Sequence, residues 1–504
     1  MESKKSKNVV HSEVIRTDYF SLPKSLKRKY ITPFIILDQQ IKRNLINGGI
    51  KTRPVNSNGL WCCSLLPAIL CIYAYFYKVS LLYKIVACVS IGLLVYSCLF
   101  ILFLSVSCVV LNYDTIHGGC TASTMASVLL LYVFLEQDLA FSILCAFPTL
   151  HLYNLLLRFC LLSHPKTFTV GEAMLVSQGI SLLTITILIK VFYDIGESDE
   201  EMEFINTIVN TVLSTVGLIV TALYLLTDEQ RNLGNLIKIL LVGFIFTLMI
   251  LHSIIGVGFL PKILYYIFFD KNRVQIFTFW LSLVVIAVVV LVSRTRLAVK
   301  ASTVTRKAFH VLASLVFLSG LLLDVNLITL ASGIGLALII LIEAIRKSQI
   351  EPISGALQSA FDVYSDDKDV GSFAMTPIYL FAALACPLAL VPAHAGAPLE
   401  LLAGVLAIGV GDTAASWLGS NYGFYKWRHD NNRTLEGTAF NIISQIGTVY
   451  ALQLFELLST NNMIIRASVA AVASGLVEAH TDQVDNLVLP LVSLLAFQAT
   501  YVLC

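Results

Sequence analysis

The chain has 504 residues, of which 57% are hydrophobic and only 13% charged, and its mean hydropathy is +0.81. Soluble globular domains carry roughly one-quarter charged residues, so this composition excludes an ordinary soluble fold and gives a polytopic membrane protein. The net charge of +2 points to no polyanionic partner such as nucleic acid, and the eleven cysteines lie scattered in apolar runs without metal-ligand or disulfide-framework spacing.

Met1 to Gly59 is a basic segment, with Lys4, Lys5, Lys7, Lys24, Lys27, Arg28, Lys29, Lys42 and Arg43 set against few acids. It is expected to be cytosolic and either partly disordered or lying on the membrane surface. Its length before the first apolar run argues against a cleavable signal. Apolar segments follow at 60–77, 82–110, 121–137, 139–162, 170–193, 205–226, 236–258 and 274–293. Each approaches the 20 or so residues a span needs. Residues 60–293 thus form an N-terminal transmembrane region. By the count of spans, the acidic run from Asp194 to Glu201 falls on the side opposite the N-terminus, which the positive-inside rule accepts. Lys262, Lys271 and Arg273 fall there too, against that rule. At Thr169, Glu172 three residues on completes a capping-box pattern for a helix start.

The remainder, 294–504, has spans at about 308–323, 326–345, 372–392, 399–420, 436–458, 463–479 and 487–503. The fold class is therefore all-α: a polytopic integral membrane helical bundle of about 15 transmembrane helices, within a range of about 13–15. One set of connections, 294–307, 346–371 and 421–435, holds Arg294, Arg296, Lys300, Arg306, Lys307, Arg346, Lys347, Lys368, Lys426, Arg428 and Arg433. The opposite connections, 324–325, 393–398 and 459–462, hold no Lys or Arg. That asymmetry puts the first set, and 480–486 with it, in the cytosol.

The stretch Gly409–Thr438, GVGDTAASWLGSNYGFYKWRHDNNRTLEGT, carries the strongest chemical signal. Asp412 closes an apolar run, where an ionisable side chain is costly unless it is used. Gly419 and Gly423 leave backbone free for close approach. Lys426, Arg428, Arg433, Thr434, Glu436, Gly437 and Thr438 add cations, hydroxyls and a carboxylate, which are the parts that bind a metal-nucleotide. Small-residue helix packing explains the glycines alone, and a topology signal explains the cations alone. Neither needs Asp412 or Glu436.

Gly411-Asp412-Thr413-Ala414-Ala415-Ser416, Gly419, Gly423, Lys426-Trp427 and Asn432-Arg433-Thr434-Leu435-Glu436-Gly437-Thr438 resemble the signature of the polyprenol kinases, a family that includes dolichol, phytol and CTP-dependent diacylglycerol kinases. The segments Arg306–His310, Glu343–Ser348 and Glu478–Asn486 also resemble their family counterparts, and Phe168-Thr169-Val170-Gly171-Glu172-Ala173 resembles a segment of the amino-terminal half of dolichol kinases. The resemblance covers 300–504 strongly and the first half weakly. It implies a 294–504 catalytic transmembrane domain in an endoplasmic-reticulum enzyme whose catalytic loops face the cytosol. It further implies transfer of the γ-phosphate of CTP to dolichol, giving dolichyl phosphate for N-glycosylation and other dolichol-linked sugar transfer, and CDP. Many relatives have Pro after the Trp of the Lys-Trp pair, where this chain has Arg428.

The resemblance makes Tyr422, Gly423, Lys426, Trp427, Arg428, Asn432, Arg433, Thr434, Glu436, Gly437 and Thr438, with Gly419, the expected CTP-binding stretch. Lys426 with Arg433 or Arg428 suits phosphate oxygens, and amides near Gly419 and Gly423 suit a phosphate cradle. Asp412, Glu436, Asp482 and Asp485 are candidates for Mg²⁺ or another divalent cation, Asp412, Asp482 and Asp485 first; any of them also suits a base on the lipid hydroxyl. Supporting candidates are Arg306, Lys307, His310, Glu343, His480 and Asn486. For Glu343 an ion pair with Arg346 or Lys347 is the default; Trp427 suits stacking on the nucleotide base, with an interfacial anchor the commoner role. The alternatives are a phytol or diacylglycerol kinase, a cytidylyltransferase, or a membrane transporter, which would place polar residues at midplane in two related halves.

Overall fold

A computed structural model describes residues 32–107, 117–193, 200–297, 303–365, 369–392, 397–428 and 431–501. The basic residues before 32, and most of the acidic run from Asp194, lie outside the described residues. The first half holds α1 (Thr32–Asn47), α2 (Leu65–Phe76), α3 (Leu81–Val106), α4 (His117–Phe134), α5 (Leu139–Leu162) and α6 (Val170–Phe192). It continues with α7 (Glu200–Leu225), α8 (Leu233–Ile255), α9 (Phe259–Phe268) and α10 (Lys271–Leu297). The second half holds α11 (Thr303–Leu323), α12 (Val325–Lys347), α13 (Ile353–Tyr364) and α14 (Met375–Leu390). It ends with α15 (Thr413–Tyr422), α16 (Leu435–Leu454), α17 (Met463–His480) and α18 (Asp485–Ala499). Among the described residues there is no strand, only an isolated antiparallel bridge between Lys426 and Thr434. Nine of these helices are long and apolar enough to cross a membrane, and several shorter apolar helices accompany them. The protein is a multi-pass, all-helical membrane protein.

Helix starts follow local chemistry. The capping box at Thr169 forms: its hydroxyl accepts from the Glu172 amide at 3.2 Å, and the Glu172 carboxylate accepts from the Thr169 amide at 2.9 Å. Asp324 caps α12 and Thr434 caps α16 by the one-sided bond alone, each side-chain oxygen accepting from the amide three residues on.

Three local departures from the sequence reading matter. The span expected at 399–420 is broken into a single turn (Pro398–Leu401), a π-helical segment (Val405–Asp412) and α15. Glycine is the reason such a segment fits at the centre. A Cβ on Gly404 would overlap the Ala383 carbonyl of α14, one on Gly409 the Ser314 hydroxyl of α11, and one on Gly411 the Asn441 side chain of α16. Second, α9 and α13 lie in what read as plain connections. Third, residues 32–59 are not simply a tail. Ile41 and Leu45 of α1 are buried, and the Asn44 amide donates to the free carbonyls of Leu104 and Ser105 at 2.9 and 2.8 Å.

Polar ties between connections sort into two ends of the bundle. At one end Lys51 meets Lys166, Arg231 meets Gln349, Thr167 meets Ser372, Lys307 meets Asp412 and Arg433 meets Asp485. At the other, Arg273 bridges Asp324 and Glu201 at 2.7 and 2.8 Å, the Tyr83 hydroxyl donates to the Leu390 carbonyl, and Arg466 pairs with Glu400. Arg273, one of the three cations set against the positive-inside count, is thus held by two carboxylates of its own end. The core also crosses the 293/294 boundary. Cys62, Leu65 and Tyr73 share one cluster with Leu399, Val449 and Phe497, and Tyr379 and Val484 join the cluster built by α1, α3, α5 and α6.

Candidate active site

The π segment delivers Asp412 to the end where Lys51, Lys307 and Arg433 gather. Asp412 is 5% exposed, and the Lys307 ammonium donates to its Oδ2. One turn along α11 from Lys307, the buried His310 ring lies with its Nδ1 3.3 Å from the Arg306 carbonyl, with Asn486 of α18 as a side-chain partner. From the opposite side Arg433 donates to the Thr481 carbonyl and, at 2.7 Å, to Asp485 Oδ1. Burial opposes the charge on Arg433, but Asp485, Glu478, Asp412 and Asp482 act on it together and hold its pKa above the ordinary arginine value. Four carboxyl groups therefore act on Arg433, and one of them, Asp412, is also the partner of Lys307.

Glu478 is the residue the sequence reading undervalued, since it appeared only as the start of the 478–486 segment. It is buried on α17 and accepts from Asn441 Nδ2 of α16 at 2.6 Å, while Gln445 donates to Asn441 Oδ1 and to Ser474 Oγ. Two amide side chains four apart on an apolar helix were the available clue, because polar side chains inside a span need partners within the bundle.

Residues 425–427 and 433–435 pair as the arms of a short antiparallel hairpin, joined to this centre through Arg433. Trp427 N–H donates to the Arg433 carbonyl at 3.1 Å, and Leu435 N–H to the Tyr425 carbonyl at 2.7 Å. Trp427 Nε1 donates to Thr438 Oγ1 at 2.9 Å, and its ring packs against His480 with centroids 4.9 Å apart. Lys426 is exposed with its ammonium 3.2 Å from Asn432 Oδ1, and Tyr422 is exposed beside it. Arg428 lies half-buried on the hairpin, next to His429 and Asp430, which are outside the described residues. Glu436 accepts from the Tyr425 amide at 3.2 Å, so its carboxylate braces the hairpin.

The glycines act differently from the expected phosphate cradle. The Gly423 amide is spent on the Gly419 carbonyl at 2.9 Å, and Gly419 lies within α15. A Cβ on Gly419 would sit 3.1 Å from the Gly437 Cα, so these two glycines let α15 and α16 cross closely. Glu343 is also elsewhere. It forms the i, i+3 pair with Arg346, at 2.6 and 2.8 Å, and accepts from the Ala374 amide at 2.8 Å. The Asp482 carbonyl accepts from Arg53 at 3.0 Å. A groove of about 280 Å³ opens beside it, lined by Ser57, Trp61, Leu476, Val477, His480, Thr481 and Asp482.

Among the described residues, no three His, Cys, Asp or Glu side chains already form a metal cage. Mg²⁺ on a nucleotide does not need one, because it takes one or two carboxylates and fills its shell with phosphate oxygens and water. A centre with more carboxyl groups than cations fits such an ion.

Residues 82–423 match the family model described as dolichol kinase. The dolichol kinase of Bos taurus is 28% identical over 419 residues, covering 79% of this chain and 77% of its own. That of Homo sapiens is 29% identical over 369 residues, covering 69% and 67%. Dolichol kinase EVAN of Arabidopsis thaliana is 26% identical over 374 residues, covering 67% and 65%. No solved structure matches.

Proposed function

Because the chain belongs to the dolichol kinase family, and so is a membrane kinase that phosphorylates dolichol, we propose that its donor is CTP, used with Mg²⁺ or another divalent cation at the Asp412 centre. The observation that carries this is the meeting of Asp412, Lys307, Arg433, Asp485 and Glu478 at one end of the bundle, with Arg433 belonging to the hairpin that also carries Lys426.

The lipid hydroxyl oxygen attacks the γ-phosphorus, the bond from that phosphorus to the β–γ bridging oxygen breaks, and CDP leaves with that oxygen. The hydroxyl proton passes to a carboxylate of the centre, with Asp412 the first choice because it is buried at the end of the membrane-embedded segment. Asp412, Asp485 and Asp482 are the side chains that would hold the cation, which neutralises charge on the phosphate oxygens. Lys307 and Arg433 keep two of these carboxylates oriented, and Lys426, exposed on the hairpin, with Arg428 two residues on, would neutralise nucleotide phosphate oxygens. Trp427, fixed by Thr438 and His480, forms a wall of the hairpin rather than a free stacking platform. The groove between Trp61 and Leu476 suits the isoprenoid next to the hydroxyl, since it joins a lipid-exposed face of α17 to Asp482.

We further propose residence in the endoplasmic-reticulum membrane with the site facing the cytosol, as the Lys and Arg asymmetry favours. In this reading 294–504 supplies the catalytic groups and 60–293 supports them. Purified enzyme given polyprenol and γ-labelled CTP, ATP or GTP tests the donor. Label transfer with CDP release, dependent on CTP and a divalent cation, is expected; equal use of ATP overturns the donor assignment. Single cysteines at Pro392 and Asn431 should label from opposite sides of sealed microsomes, Asn431 from the cytosolic side.

A further inference from the structure

The 481–486 loop is one wall of the proposed centre, and little within the loop itself fixes its shape. Arg433 ties Thr481 and Asp485 at its two ends, and the residues between them are anchored from the other half of the chain. Glu172 is fully buried at the first turn of α6, and four donors converge on its carboxylate. Arg53 Nη2 reaches Oε1 at 2.5 Å and Arg53 Nε reaches Oε2 at 3.2 Å. The Thr169 amide donates to Oε2 and the Val484 amide to Oε1, each at 2.9 Å. A helix cap needs only the Thr169 bond. The Val484 bond is made across 312 residues of sequence, to the residue immediately before Asp485.

The same junction is tied twice more. Arg53 also donates to the Asp482 carbonyl at 3.0 Å. Gln483, 1% exposed, donates to the Ser57 carbonyl at 2.9 Å and accepts from the Thr169 hydroxyl at 2.6 Å. The Ser57–Gly59 strip is pressed onto α6 as well: the Gly171 amide donates to the Asn58 carbonyl at 2.8 Å, and a Cβ on Gly171 would overlap the Gly59 carbonyl. Gly59 takes φ +66° with Gln483 packed where a side chain would stand, so only glycine serves there. Residue 482 is thus held by Arg53, 483 by Ser57 and Thr169, and 484 by Glu172, so the backbone that leads into Asp485, the partner of Arg433, is fixed from 53–59 and 169–172.

We propose that Glu172 is a positioning residue for phosphoryl transfer: with Arg53 it clamps the Thr481–Asn486 loop from the amino-terminal half and so fixes Asp485 at the catalytic centre. This rests on the reading of Asp485 as part of that centre. Misplacing a reacting or charge-stabilising group by about 1 Å costs up to about 100-fold in rate, so the clamp acts on turnover more than on lipid binding.

The test uses the full-length enzyme in nanodiscs, with Glu172→Gln, Gln483→Ala and Asp485→Asn compared per folded molecule. Glu172→Gln should lower kcat about tenfold and raise the divalent-cation concentration for half-maximal rate severalfold, with KM for polyprenol within about twofold. Hydrogen exchange should quicken in peptides covering 481–487 and stay unchanged in 175–190. Should Glu172→Gln fold poorly, Gln483→Ala keeps the buried ion pair and should show the same pattern at about threefold. Wild-type kcat and cation requirement in both variants, with Asp485→Asn impaired, would overturn the proposal. So would losses of activity that track folded protein alone. If Asp485→Asn is itself fully active, the failure lies in the reading of the centre and the clamp has nothing to position.

Discussion

Helices α8 and α10 make a useful contrast with α17. Only 11% and 17% of the most apolar stretches of α8 and α10 are buried within the protein, against 50% for α17, while mean hydropathy in those stretches runs the other way, at 2.2, 2.8 and 1.3. The peripheral helices are solvated by lipid and need only be apolar all round. For α17, protein replaces lipid, and Arg466, Ser474 and Glu478 all find partners in its neighbours. Apolarity alone does not tell the two apart, since α3 is nearly as apolar as α10 and 56% buried; the interruption of apolarity in α17 reports where the bundle has a use for polarity.

That contrast predicts steeply different costs for small changes. The largest belongs to Asp412→Asn and Asp485→Asn. Each keeps shape and removes charge at the centre, so kcat should fall on the order of 100-fold or more, with a shifted divalent-cation requirement. Rates measured against Mg²⁺ in membranes matched for enzyme content check this, and near-wild-type values in both would take the carboxylates out of the chemistry. Lys426→Ala comes next. Its side chain is exposed and its bond to Asn432 is dispensable for folding, so the expected effect is a rise of about 10-fold or more in KM for CTP with unchanged melting behaviour. Gly411→Ala should follow: the new methyl would stand 2.6 Å from Gln445 Nε2 and overlap Asn441, an overpacking worth about 1–3 kcal/mol that also shifts its neighbour Asp412. A severalfold drop in kcat with lowered thermal stability is expected, and a stable, fully active variant would show that the π segment has slack.

Much of this is legible in the sequence. Composition and span length point to the membrane bundle, and the Lys and Arg asymmetry groups 294–307 and 421–435, whose Lys307 and Arg433 hold Asp412 and Asp485. The break at 405–412 was not readable, because its residues are apolar and pass any hydropathy test; what bends them is contact of Gly404, Gly409 and Gly411 with three different helices. The glycines at 419 and 423 read as phosphate-binding backbone because sequence cannot say whether an amide is already spent. Glu172 read as a helix cap for a related reason. A capping box has a local signature, whereas its bonds to Arg53 and Val484 span 119 and 312 residues and leave none.

The smallest expected effect falls on a glycine with the same chemistry as Gly411 and the opposite surroundings. Gly217 lies in the middle of α7, exposed, and a Cβ there would meet nothing within 4 Å. Gly217→Ala therefore adds no overlap, and it removes the backbone freedom that makes glycine a poor helix residue, a gain of at most about 0.5–1 kcal/mol. α7 packs against α8 and α12, and neither supplies a side chain to the Asp412 centre, so kcat and both KM values should stay within about twofold of wild type. Thermal unfolding in detergent and steady-state kinetics read the two halves of this expectation separately. A loss of stability at Gly217→Ala would mean that this face of α7 has a protein neighbour, such as a second copy of the chain, and the division between lipid-solvated and protein-solvated helices would have to be redrawn there.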